Sequence, residues 1–355
     1  MAQTTSLSKK QIQIIERLSN AMAISGDEGE VRKIILEEIS PYTSDHKIDS
    51  LGNLLVEIKG KSRNRVKVML AAHMDEVGFM ISTDEGDGIY RFETSGGIDL
   101  RQLPGKAVMV GKDHFPGVIG ARPIHLTSAK ERKETIPLSS LRIDLGPGMK
   151  SIKPGDGATF GTRFQQIGQS MMGKALDDRL GVGILIDLIK DPPPNIDLQF
   201  AFTGQEETGL RGARVAAFSF DPDLAFVIDS TPANDLPTWD GEENHNYNCR
   251  LGEGPAIYRA DGASFSDPRL VRLTEETAIK EKIPYQFRQP GGGGTDAGSI
   301  HTQRSGIPSI SISIPGRYAH TAAGLARISD YLNTLKLLKA TLKSIPANIL
   351  EQERK

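Results

Sequence analysis

The chain predicts an α/β fold: a mostly parallel central sheet flanked by helices, with a small β domain inserted into it. Three observations lead there. Short apolar runs of strand length, VKVMLAA (66–72), LQFAFT (198–203), LAFVID (224–229) and SISI (311–314), alternate with stretches of helical periodicity. Strands that are apolar throughout belong to parallel sheets covered on both faces. Between residues 77 and 166 the texture changes to short β-like segments punctuated by Gly and Pro, with no amphipathic helix among them. Finally, 355 residues exceed one minimal core and suit a large α/β domain or two domains.

The elements follow in order. A helix opens at Ser8, with Gln11 completing a capping box, and carries Ile12, Ile15 and Leu18 on one face. A second repeats the pattern with Val31, Ile34, Ile35 and Ile39. Strands NLLVEI (53–58) and VKVMLAA come next, joined by the basic stretch KGKSRNRVK, which reads as an exposed hairpin turn. The β region contains GIYRF, KAVMVG, GVIGARPIHL, LRIDLG and GATFGT. After KALDDRLG the alternation resumes, with helices over about 179–190, over GLRGARVAA, near 267–281 and over about 329–344. The division is then 1–76 and 167–355 for the catalytic domain and 77–166 for the insert.

Composition narrows the function. Lys plus Arg number 43 against 45 Asp plus Glu, which gives no reason to expect nucleic acid or an acidic membrane as partner. The first twenty residues lack the apolar core of a signal peptide, and no run of eighteen apolar residues occurs, so a cytoplasmic enzyme is the expectation. A single cysteine, Cys249, rules out a disulfide framework and a thiolate zinc site within one chain. Any metal must be held by His and carboxylates.

Ligands of open α/β sheets bind beyond the carboxyl ends of the strands. His73 and Asp75 follow VKVMLAA, Glu206 and Glu207 follow LQFAFT, Asp229 ends LAFVID, and His320 lies shortly after SISI. Asp177 and Asp178 sit where the chain re-enters the sheet domain. Two His and three carboxylates suit a pair of divalent ions such as Zn, Co or Mn, and a further carboxylate suits a general base. One member of the Glu206–Glu207 pair would bind metal and the other would act as base. Each residue also has a plain reading: a hydrogen-bonded His, a helix-dipole charge, a cap with an ion pair. Their recurrence at successive strand ends is what favours a site. His46, His114, His125, His245 and His301 lack that placement and read as structural or exposed, and the lone Trp239 and Cys249 carry no signal. GGGGTDAGS (291–299) lacks the Lys and Ser/Thr of a P-loop and reads as a close-packed or flexible turn near the site.

The motifs AAHMDEVGFM, KALDDRLG, TGQEETGLRGA, FVIDSTPANDLP, LGEGPAI, GGGGTDAGSI and GRYAHT, in this order, resemble the tetrahedral (TET) or deblocking/glutamyl aminopeptidase family of cocatalytic metallopeptidases. The resemblance implies two divalent metal ions per subunit, with His73 and Glu207 as terminal ligands of opposite metals, Asp177 bridging, and Asp229 and His320 completing the two spheres. It also implies Glu206 as general base and acid through a metal-bridged hydroxide, and Asp75 as the acceptor that orients His73. The choice of Asp177 over Asp178 comes from the resemblance alone. The insert would be a PDZ-like small β-barrel used in dimerisation. Homodimers would assemble into a tetrahedral dodecamer acting on short peptides with a free N-terminus. RIDLGPGMKSIKPGD is shorter and richer in Gly and Pro than the family's usual linker, and His301 stands where an amide is usual.

The competing readings are a dipeptidase, acylamino-acid deacylase or carboxypeptidase on the same metal scaffold, a glycoside hydrolase, and a non-catalytic assembly protein. A glycoside hydrolase needs paired carboxylates and normally no metal pair.

Overall fold

A computed structural model describes residues 6–61, 65–149, 151–242, 249–289 and 292–354. His245, Gly291 and residues 62–64 of the basic stretch lie outside them. Helix α1 (Lys9–Asn20) starts as its sequence predicts: the Gln11 amide donates to Ser8 Oγ at 3.2 Å, and the Ser8 amide donates to Gln11 Oε1 at 3.0 Å. Ile15 and Leu18 point into the core, as do Val31, Ile35 and Ile39 of α2 (Gly29–Ile39).

Strands β1 (His46–Ile48), β2 (Leu54–Ile58) and β3 (Lys67–His73) lead to a separate barrel. Its strands are β4 (Gly78–Gly86), β5 (Ile89–Ser95), β6 (Ala107–Val110), β7 (Phe115–Ile119), β8 (Ile143–Asp144) and β9 (Gly157–Phe160), closed in the order β4-β5-β8-β7-β6-β9. The chain then returns through the hairpin β10 (Gln165–Ile167) and β11 (Ser170–Gly173), both in the large sheet. Helix α3 (Leu176–Lys190), β12 (Asp197–Thr203), α4 (Arg211–Phe220), β13 (Leu224–Pro232), β14 (Ala256–Ile257), α5 (Pro268–Glu281), β15 (Gln286–Phe287), α6 (Ala297–Ile300), β16 (Ser309–Arg317), β17 (Gly324–Arg327) and α7 (Ile328–Ser344) complete it.

The sheet runs β1-β2-β12-β3-β13-β16-β17-β11-β10, with β14 and β15 off this path. Its centre, β12-β3-β13-β16, is parallel, whereas the flanking strands pair antiparallel. Period-two alternation divides each central strand between two cores. Val68, Leu70, Phe200, Phe226 and Ile312 face α1, α2, α3, α5 and α7. Met69, Ala71, Ala201 and Val227 face α4 and α6, where Ala213, Ala216 and Ala217 let α4 approach closely. Both faces are thereby covered, which is why these strands carry no polar alternation.

In the barrel, Phe79 meets Phe92 and Phe160 edge-on, with ring centroids 5.1 and 5.3 Å away, while Met80 between the inward-facing Phe79 and Ile81 is exposed. Gly78 marks the junction: a Cβ there would sit 2.7 Å from the Ala158 carbonyl oxygen.

Two expectations are corrected. β12 lies between β2 and β3, antiparallel to one and parallel to the other, so the strands on either side of KGKSRNRVK are not partners and do not form the expected hairpin. GVIGARPIHL is strand only to Ile119 and then continues into a 3₁₀ turn at Ile124–Leu126, because Gly120 and Pro123 end the ladder. Ser8→Ala should remove the cap of α1 and lower stability by about 1 kcal/mol, read as a reduced urea midpoint at unchanged slope.

Candidate metal centre

The parallel strands end on one rim, and the side chains picked from sequence meet there. His73 is the last residue of β3, and Asp229 lies near the end of β13, which runs on to Pro232. Glu206 and Glu207 occupy the turn after β12, and His320 follows β16. Donor atoms of His73, Asp177 and Asp229 lie within 4.8 Å of one another, and so do those of Asp177, Glu207 and His320. Asp177 is common to both groups. Its Oδ1 is 3.3 Å from His73 Nε2, and its Oδ2 is 3.5 Å from His320 Nε2. Asp229 Oδ1 stands 3.8 Å from His73 Nε2, and Glu207 Oε2 stands 3.4 Å from His320 Nε2.

Local structure separates the two aspartates, which sequence could not. Asp177 and Asp178 have non-helical backbones although they fall within the first turn of α3. Asp178 Oδ1 accepts the Gly181 amide at 3.0 Å and so acts as the cap. Asp177, one residue earlier, is left free to face both imidazoles.

Backbone carbonyls set both histidine tautomers. His73 Nδ1 lies 3.0 Å from the Asp75 carbonyl oxygen, and His320 Nδ1 lies 2.9 Å from that of Gly97. A carbonyl only accepts, so each Nδ1 carries a proton and each Nε2 is turned toward the cluster, where its lone pair would serve a cation that displaces the second proton. Gln102 also donates to the His320 carbonyl at 2.9 Å. Gly97 and Gln102 both belong to the barrel segment between β5 and β6.

Asp75 does more than sequence suggested. Its carboxylate is 3.5 Å from His73 Nδ1, farther than its own carbonyl, and is occupied elsewhere. Oδ1 accepts the Glu206 amide at 3.0 Å, and Oδ2 accepts the Glu207 amide at 3.2 Å and the Ser25 hydroxyl at 2.6 Å. Glu28, unremarked in the sequence, accepts the Gln205 amide at 3.2 Å. The turn bearing the glutamate pair is therefore gripped through three successive amides.

Burial dominates the electrostatics. It pushes Glu206, Asp229 and Asp178 well above the usual carboxylate range and Glu207 up to about 7. Asp177 is the exception: burial alone would raise it, but the imidazoles of His320 and His73 outweigh that and hold it low. Burial would likewise depress His320, yet Asp177 and Glu207 raise it to about 10. So many buried carboxylates against two imidazoles demand added positive charge. Oxygen and imidazole donors at these separations fit divalent cations of the Zn, Co or Mn kind.

Behind the rim lies a buried cationic brace. Arg179, fully buried, donates to the carbonyls of Met74 at 2.8 Å and Leu18 at 2.5 Å and to Glu76 at 2.9 Å. Lys174 donates to the same Glu76 at 2.7 and 2.9 Å. The brace joins the segment after His73 to the segment holding Asp177.

Asp296, from the Gly-rich stretch, was not singled out as a site residue. Its Oδ2 accepts the Thr203 hydroxyl at 2.6 Å, its Oδ1 has no partner among the described residues, and burial pushes it up to about 6. The glycines before it were the available signal: Gly292, Gly293 and Gly294 line the cavity over the centre. Among the histidines left aside, His114 pairs with Glu30 at 2.6 Å, His301 Nδ1 lies 2.7 Å from the Ala297 carbonyl, and His46 and His125 are exposed.

Comparison with known proteins shows the family of the chain. The family model described as M42 glutamyl aminopeptidase matches residues 52–337. A putative aminopeptidase of Acetivibrio thermocellus is 37% identical over 92% of this chain and 96% of its own. The aminopeptidase APDkam598 of Desulfurococcus kamchatkensis superposes with a TM-score of 0.90 at 33% identity, covering 96% of this chain and 97% of its own. The TET1 peptidase of Pyrococcus horikoshii, described as able to assemble into a tetrahedron or a large octahedral shell, gives 0.83 at 34% identity over 94% of this chain and 100% of its own.

Arg179→Met should cost about 3–5 kcal/mol, because it strips buried carbonyls of their donor and leaves Glu76 to Lys174 alone. Urea unfolding in the presence of chelator measures this; a loss below about 1 kcal/mol would show that the brace is dispensable.

Proposed function

Because the chain belongs to the M42 glutamyl aminopeptidase family and is thus a peptide hydrolase, we propose that its rim cluster is a dinuclear centre removing N-terminal residues from short peptides. The observation that carries this reading is the placement of Asp177, whose two oxygens face different imidazoles as a bridging carboxylate must. His73 and Asp229 would hold one ion with Asp177, and Glu207 and His320 the other. When bound, the ions supply Lewis acidity toward the scissile carbonyl and an acidified water.

The chain's own residues do the rest. Glu206 lines the cavity but stands outside both donor groups, so its carboxylate is free to take a proton from the attacking water and return it to the leaving amine. Asp75 and Glu28 fix the height of that carboxylate through the turn's amides. A free N-terminal amine can be held at the cavity wall beside the Glu206 carboxylate, whereas an acetylated terminus has no amine to place there. The cavity, about 570 Å³, accommodates a few residues and no folded chain.

The barrel and the exposed apolar side chains of Ile124, Leu126, Phe265 and Trp239 would serve self-association, first as a dimer and then as a tetrahedral particle. Among the described residues, no helix is long and apolar enough to cross a membrane.

Chelated protein should be inactive on free aminoacyl anilides and regain activity with Zn, Co or Mn. Acetylated analogues should remain intact, and Glu206→Gln should lose roughly 10²–10⁴-fold in kcat with metal binding retained by calorimetry. Hydrolysis of acetylated substrates would move the assignment to a deacylase. Activity that survives chelation would remove the metal from the reading.

A further inference from the structure

The two donor groups of the centre are supported differently. His73 closes β3 and Asp229 lies on β13, so the first group stands on the parallel sheet itself. His320 does not. It sits in the loop of residues 318–323 between the antiparallel strands β16 and β17, past the last pairing of β16 with β13. The backbone there is left-handed at two residues with side chains, with φ of +63° at Tyr318 and +57° at His320, a conformation that needs outside support. Thr321 ties the loop to itself, donating to the Tyr318 carbonyl at 2.7 Å and accepting the Ala323 amide at 3.3 Å.

Apart from the approach of His320 Nε2 to Asp177 and Glu207, the hydrogen bonds that the described residues of this loop make outside it go to the barrel. Gln102 Nε2 donates to the His320 carbonyl at 2.9 Å, His320 Nδ1 meets the Gly97 carbonyl at 2.9 Å, and Ala322 packs against the barrel's apolar core. Gln102 is itself well founded. It closes a 3₁₀ turn (Leu100–Gln102) capped by the Asp99 side chain, and the next residue, Leu103, is fully buried in the barrel. A small cavity of about 30 Å³, lined among others by Phe160, Ala319 and His320, leaves the loop room to shift if its hold is lost. The Gly97 bond steers the ring, and the Gln102 bond fixes the backbone that carries the ring. Only the second depends on a side chain.

We propose that Gln102 is a positioning residue: through the His320 carbonyl it sets the affinity for the ion shared by His320 and Glu207, and it leaves the ion of His73 and Asp229 unaffected. The inference rests on the dinuclear reading and adds that one of the two sites is held in place from the barrel. Without the amide donor the His320 carbonyl turns to water, the left-handed backbone relaxes, and Nε2 moves off Asp177 and Glu207. His73 keeps its contact with the Asp75 carbonyl, which lies wholly within the sheet domain.

The test titrates chelated full-length protein with Co or Zn by calorimetry. Gln102→Met keeps the size of the side chain and removes the donor, and Gln102→Asn keeps the amide but shortens its reach. His73→Ala and His320→Ala assign the two binding steps. In Gln102→Met the step that His320→Ala weakens should lose about tenfold or more in Kd, while the other step stays within about twofold of wild type. Arg101→Met, at the exposed neighbour that pairs with Asp99, should leave both steps as they are. An unchanged His320 step, an equal loss at both steps, or the same effect from Arg101→Met overturns the proposal and leaves Gln102 as an ordinary contact between barrel and sheet domain. Should Gln102→Met fail to fold by circular dichroism, Gln102→Asn decides by the same criteria. Wild type that takes a single ion refutes the dinuclear reading by itself; the positioning role then stands if Gln102→Met weakens that ion as His320→Ala does, and falls if it does not. Wild type that takes no ion refutes both.

Discussion

Asp75 is the point through which the centre is assembled. One residue offers its carbonyl to His73 and both carboxylate oxygens to the amides of Glu206 and Glu207. Burial opposes the charge of this unexposed carboxylate, but the His73 imidazole beside it, then the Ser25 hydroxyl and the turn's amides, hold it below the usual carboxylate range. Two neighbouring strands of a parallel sheet are thereby set in register beyond their last ladder bond. The distance between the imidazole and the glutamate pair follows from that grip.

A second constraint is charge. The rim gathers carboxylates that burial drives toward neutrality, while the layer beneath answers one more carboxylate, Glu76, with both Arg179 and Lys174. The lower layer is satisfied within the chain, whereas the upper layer is not. This contrast is what distinguishes a structural ion cluster from a centre built to receive cations.

Much of this was legible in the sequence because it is locally encoded. The cap at Ser8, the apolar strands and the donors at their carboxyl ends depend on neighbours a few residues away, and the order of strand-end motifs suffices to identify the family. Contacts made at long range were not legible. Nothing near Lys59 states that β12 inserts between β2 and β3, and two-residue strands such as β14 and β15 carry no periodicity. Asp177 and Asp178 are chemically alike, and only the start of α3 assigns one to the cap. Asp296 and Gln102 escaped because their partners, Thr203 and His320, lie far away in sequence and are reached only through the fold.

The carbonyl of Gly97 deserves a last consequence. It comes from the insert, yet it decides which nitrogen of His320 is free. The barrel can be cut from the chain on paper at Gly78 and Phe160 with the great sheet left whole, but the excised enzyme would carry a histidine able to flip its ring or switch its proton. The insert is thus more than an accessory to the sheet: its loss would be a lesion in the chemistry, because a single lone pair on its backbone orients a histidine of the rim.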